Sequence, residues 1–86
     1  MYGVTKLDTR EAVANRIREL CKDRDLKINA LANEAGMPPM TIYSILYTRS
    51  KNPGIVTLKK ICDALGITLG EFFSTKEFDD LEQEIR

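Results

Sequence analysis

The chain has 86 residues, 43% apolar and 30% charged, with 13 Lys and Arg against 13 Asp and Glu, which is the profile of one domain with a modest core. It has no apolar run long enough to span a bilayer, and MYGVTKLDTREAV lacks the apolar core of a signal peptide, so a cytoplasmic location without a membrane partner is expected. There is no His, and Cys21 and Cys62 form no CxxC pair, which argues against structural zinc and leaves both as small core side chains; a disulfide is disfavoured in a reducing compartment.

Helical periodicity predicts an all-α fold, with no stretch alternating as a strand does. The first helix is expected over residues 9–24, with Val13, Ile17, Leu20 and Cys21 inward. Asp8 or Thr9 caps it, and Glu11 sits in the first turn, where the helix dipole favours an acid. A short second helix covers 28–35, with Leu31 and Ala32 inward and Gly36 as its stop. Pro39 then disfavours α conformation at Pro38 while itself suiting a first helical position, so the third helix covers 39–47. At 100° per residue Ile42, Ile45 and Leu46 share its inner face, and Met40, Tyr43, Ser44 and Tyr47 the opposite one.

TRSKNPG, 48–54, reads as a polar loop ending in turn residues. The fourth helix is expected over 56–65, with Leu58, Ile61, Cys62 and Leu65 inward and Gly66 beyond it. Thr68 caps a fifth, 69–73, which brings Phe72 and Phe73 to close the core. Last, KEFDDLEQEIR predicts a sixth helix with an apolar stripe of Phe78, Leu81 and Ile85. Residues 1–75 carry 11 Lys and Arg against 8 Asp and Glu, net +3, and residues 76–86 carry 2 against 5, net −3. An acidic tail thus offsets a mildly basic body, and overall neutrality does not exclude DNA.

LANEAGMPPMTIYSIL resembles LA-x3-G-x4-TI-x2-I, and NPGIVTLKKICDALGITLGEFF resembles a Pro followed by TL-x-KI-x-x-ALG(V/I)-x-x-x-(L/F)F. Together these are the pattern of the phage repressor/Cro-like, XRE-type helix-turn-helix family, and they cover about residues 11–73. The resemblance implies a five-helix repressor-like domain over 1–75, its helix-turn-helix at about 28–47, followed by the acidic, amphipathic tail 76–86. It implies a sequence-specific double-stranded DNA-binding regulator, expected to be a repressor and a homodimer, with the third helix in the major groove. By match to the motif, Pro39, Met40, Tyr43 and Ser44 face base edges. Tyr47, Arg49, Lys51, Asn52, Gly54 and Ile55 hold phosphates, the last two through backbone N–H groups. Lys27, beside the start of the second helix, is a further phosphate candidate.

Two departures bear on this. Ile28 stands where the family often has Gln, and Pro39 and Met40 stand where it often has polar readers. Bidentate amide or guanidinium contacts to bases are therefore unavailable there, leaving thymine methyls and the hydroxyls of Tyr43, Ser44 and Tyr47, with greater weight on DNA shape. Where many relatives carry an Arg–Glu pair, Cys21 and Leu46 are apolar, as expected if a buried ion pair is exchanged for packing.

Each reading has a plainer rival. The tyrosine face also suits a protein interface, and the alternative function is a protein-interaction module on the same scaffold, such as an antitoxin or antirepressor partner. Arg16, Arg18, Lys22, Arg24 and Lys27 read as a solvated helix face and its end, Lys27 being the one also kept as a phosphate candidate. Phe78, Leu81 and Ile85 form either a dimer seam or a flap over their own domain. No catalytic set is present, and the acids at 79, 80, 82 and 84 read as solvating charge. No enzyme activity, cofactor, metal or small-molecule ligand is expected.

Overall fold

Six α-helices and no strand make up the described residues, 8–48 and 52–85, of the computed structural model. They are α1 (Thr9–Asp23), α2 (Ile28–Ala35), α3 (Pro39–Tyr47), α4 (Ile55–Leu65), α5 (Leu69–Phe73) and α6 (Lys76–Asp79). Arg49 and Lys51 lie outside the described residues.

Local chemistry sets most of the boundaries. Of the two candidate caps of α1, Asp8 takes the role: its Oδ1 accepts the Glu11 N–H at 2.8 Å. α1 ends one residue earlier than expected. Asp25 adopts φ 51°, and the Leu26 N–H turns back to the Cys21 carbonyl at 2.9 Å. α2 and α4 end in the same way, with Gly36 (φ 71°) and Gly66 (φ 73°) in the left-handed region. Met37 N–H then reaches the Ala32 carbonyl, and Ile67 N–H the Cys62 carbonyl, each at 3.0 Å. These are Schellman endings, which are completed by an apolar residue after the left-handed one. Leu26, Met37 and Ile67 fill that place and pack against the core.

Pro38 is extended (φ −65°, ψ 142°) and Pro39 opens α3. α4 starts one residue earlier than expected, at Ile55, with Gly54 before it. α5 begins in a capping box: Thr68 Oγ1 accepts the Glu71 N–H at 3.0 Å, and Glu71 Oε1 accepts the Thr68 N–H at 2.8 Å.

The core is one cluster. Ile17, Leu31, Ile42, Ile61, Cys62 and Phe72 are its fully buried large members. α1 packs on α3 and α6, α2 on α3 and α4, and α4 on α5. Cys21 and Leu46 are both buried in this cluster. Burial raises the pKa of both thiols, Cys21 and Cys62, so they remain neutral apolar filling near pH 7. Arg16 is not part of a solvated face. It is half-buried, its Nε donates to the Phe72 carbonyl at 2.7 Å, and its Nη2 donates to the Glu71 carbonyl at 3.0 Å, fastening α5 to α1.

The final helix is shorter than the expected 76–86. It stops at Asp79, because Asp79 and Asp80 are poor helix formers and place acids at a C-terminal end where the dipole disfavours them. A four-residue helix also holds only where tertiary packing supports it. Phe78 supplies that packing, with ring centroids 4.9 Å from Phe73 and 6.1 Å from Phe72. Leu81 is half-buried and Ile85 is 80% exposed. Glu84 returns to the start of α1, where its Oε2 accepts the Thr9 hydroxyl at 2.8 Å.

Candidate nucleic-acid interface

The outward face of α3 is built by the split of its own wheel. Ile42 and Leu46 are buried and Ile45 rests against the core. This leaves Met40 (71% exposed), Tyr43 and Tyr47 (67% exposed) projecting outward. Ser44 is half-exposed and lines a shallow cleft with Thr41, Asn52, Pro53, Gly54 and Thr57. That cleft brings the start of α4 against the flank of α3. On the other side the Tyr43 hydroxyl reaches Asn29 Oδ1, in the first turn of α2, at 3.4 Å. The starts of α2 and α4 therefore both adjoin the α3 face.

These two starts differ in kind from those of α1 and α5. Lys27 and Gly54 precede α2 and α4, and neither makes a side-chain cap hydrogen bond. Asp8 and Thr68 cap the other two. An uncapped start presents backbone N–H groups and the positive end of the helix dipole, which is a setting for an anion. Pro38 provides no side-chain cap to α3 either.

Charge sets α3 and most of α4 apart. Residues 35–62, which hold α3, its following loop and most of α4, contain Arg49, Lys51, Lys59 and Lys60 and no Asp or Glu. Every acid of the chain precedes or follows this segment. Lys27 and Lys60 are exposed, and Lys59 pairs with Asp63 one turn on. Ile55 and Val56, both exposed, add apolar surface at the α4 start.

Among the candidates, Met40, Tyr43, Ser44, Tyr47, Asn52, Gly54 and Ile55 are brought to α3 or its flank, and Lys27 stands at the start of α2. Pro39 is exposed at the first turn. Phe78 belongs to the aromatic cluster, away from this face.

Two side chains here escaped the sequence reading. Asn29 holds the Tyr43 hydroxyl. Arg18 is half-buried rather than solvated: its Nη2 donates to the Leu46 carbonyl at 2.6 Å and its Nη1 to Asn15 Oδ1 at 3.0 Å. Its guanidinium lies 5.2 Å from the Tyr47 ring centre. The signal available was position: Arg16 and Arg18 border Ile17, where an Arg stem can lie along apolar surface while its head finds a partner.

Among the described residues no helix is long and apolar enough to cross a membrane, and no group of three His, Cys, Asp or Glu is placed to hold a metal.

The model of the Cro/C1-type helix-turn-helix DNA-binding domain matches residues 16–77. The chain is similar to the crystal structure of prophage Lp1 protein 11, with 33% identity over 87% of this chain and 100% of that one, at a TM-score of 0.76. It is also similar to an HTH_3 family transcriptional regulator from Vibrio cholerae, with 28% identity over 79% of this chain and 38% of that one, at a TM-score of 0.71. The likeness to the clp gene regulator ClgR from C. glutamicum is one of fold: 21% identity over 90% and 95% of the two chains, at a TM-score of 0.73. Comparison with curated proteins gave no match.

Proposed function

From the premise that the chain belongs to the Cro/C1-type helix-turn-helix DNA-binding domain family, we propose that it is a sequence-specific regulator of transcription that lays α3 in the major groove of duplex DNA. It acts as a repressor by occluding promoters, as a homodimer on two half-sites about one helical turn apart. The observation that carries this reading is the exposed α3 face, flanked by the uncapped starts of α2 and α4 and set in a segment without acids.

In this reading Pro39, Met40, Tyr43 and Ser44 meet base edges. Met40 contributes apolar contact with thymine methyls, the Ser44 hydroxyl donates or accepts according to the base, and the Tyr43 hydroxyl, which donates to Asn29, accepts. Lys27, Tyr47, Arg49, Lys51, Asn52 and the N–H groups near Gly54 and Ile55 hold phosphates, which fix register without reading sequence. Phe78 is committed to its own core, so Leu81 and Ile85 are the tail residues left to face a second copy.

A second reading, a protein-binding module such as an antitoxin or antirepressor partner, is favoured by the exposed apolar side chains of Met40, Ile55 and Val56. Selection from a random duplex pool at several salt concentrations separates the two. The wild-type chain is expected to enrich a defined site. The Arg49→Ala, Lys51→Ala double variant is expected to bind more weakly, with a slope of log K against log salt shallower by about 1.8, from two phosphate contacts at about 0.9 each. A wild-type chain that shows neither enrichment nor salt-dependent retention overturns the DNA reading in favour of the protein one.

A further inference from the structure

We propose that Arg18, on α1 and outside the reading face, is a positioning residue that sets the orientation of Tyr47 and, through it, Tyr43. The proposal rests on the DNA reading given above and extends it to a residue that touches neither base nor phosphate.

Five side chains form a continuous chain across three helices. Asn15 and the Leu46 carbonyl hold the Arg18 guanidinium through two hydrogen bonds of 3.0 and 2.6 Å. The guanidinium lies 5.2 Å from the Tyr47 ring centre, within the range of a cation–π contact. The Tyr47 ring is stacked on the Tyr43 ring, with centroids 6.0 Å apart and planes 19° from parallel. The Tyr43 hydroxyl donates to Asn29 Oδ1 at the far end. Arg18 is half-buried and its head is bonded on two sides, so it is the fixed point of the chain.

The physical consequence is preorganisation. Tyr47 is 67% exposed, and so exposed a ring would ordinarily sample several rotamers, whose loss on binding counts against affinity. Held by its contacts with Arg18 and Tyr43, it is ordered before any partner arrives. Arg suits this role and Lys does not, because only the planar guanidinium stacks on a ring while donating along two directions.

The test compares wild type, Arg18→Met, Arg18→Lys, Tyr47→Ala and the Arg18→Met, Tyr47→Ala double variant on the duplex selected by wild type. Near-UV circular dichroism and thermal unfolding are measured on the free proteins. With Tyr2, Tyr43 and Tyr47 as the tyrosines and no Trp, the near-UV tyrosine band reports the stack without DNA. Arg18→Met is expected to reduce that band and to weaken binding about 10-fold, the scale of freeing two side chains, with the salt slope unchanged. In the Tyr47→Ala background the same change is expected to cost less than about twofold, as coupled residues require. Arg18→Lys, which keeps charge and stem, is expected not to restore the band, and it carries the test if Arg18→Met does not fold.

A slope shallower by about 0.9 would make Arg18 a phosphate contact and overturn the proposal. So would a binding loss that persists without Tyr47, or a near-UV band unchanged in Arg18→Met. DNA binding by wild type with Arg18→Met unaffected overturns this inference alone. A wild-type chain that binds no DNA overturns the functional reading beneath it.

Discussion

Phe72→Ala is expected to lose about 3–5 kcal/mol of folding stability, the range for deleting a fully buried aromatic ring. Phe72 has no exposed surface and meets Phe73 edge to face with centroids 4.9 Å apart, and Phe78 at 6.1 Å. Truncation removes the ring's transfer energy and both aromatic contacts, and it leaves a cavity that the rigid helices around it fill only in part. A domain of 86 residues has about 4–13 kcal/mol in total, at about 0.05–0.15 kcal/mol per residue, so the loss takes a large share of it. Urea unfolding followed by far-UV circular dichroism measures the effect as a lower midpoint with the slope retained. Phe78→Ala, at a half-buried ring, is expected to cost less. A Phe72→Ala loss under about 1 kcal/mol would mean that the C-terminal aromatic cluster does not close the core.

Met40→Glu is expected to separate fold from function. Met40 is 71% exposed in the first turn of α3, so little packing is lost. An acid near a helix N-terminus is favourable by about 0.3–1 kcal/mol, which holds or slightly raises the unfolding midpoint. The same carboxylate enters a stretch, residues 35–62, that carries no Asp or Glu. In the proposed docking it would face the phosphates and base acceptors of a major groove and meet like charge, and such juxtaposition costs several kcal/mol. Binding to the selected duplex is expected to fall at least about 100-fold. Unfolding and gel-shift titration on one preparation decide it, and a variant that binds as tightly as wild type would remove Met40 from the interface.

The helices were legible because period and punctuation agreed. Leu31 with Ala32, Ile42 with Leu46, and Leu58 with Ile61, Cys62 and Leu65 lie at helical spacing and are buried. Gly36 and Gly66 marked ends that require a left-handed residue. Asp25 takes that conformation too, but an Asp has other uses, so the sequence did not mark the end of α1 there. The tail misled for a related reason. The spacing of Phe78, Leu81 and Ile85 suits a helix, yet the acids between them oppose one, and only Phe78 meets an aromatic partner.

The site was half legible. The outward face of α3 follows from its wheel. Charge alone did not distinguish Arg18 from Lys22, because what holds Arg18 is a carbonyl at residue 46, and that proximity exists only once α1 and α3 have packed. The contrast in capping was partly legible, since Lys27 and Gly54 have no side-chain acceptor whereas Asp8 and Thr68 do, but only the packed helices bring the two uncapped starts to the flanks of α3.

The two neutral thiols buried in one cluster have a kinetic meaning. Cys21 sits on α1 and Cys62 on α4, so an alkylating reagent meets either sulfur only when that part of the molecule opens. Under excess reagent the modification rate of each thiol becomes a clock for the opening of its own helix. Equal rates mean that the helices part together as one cooperative unit. A faster Cys21 means that α1 leaves first and takes with it the Arg18 anchor of the tyrosine face.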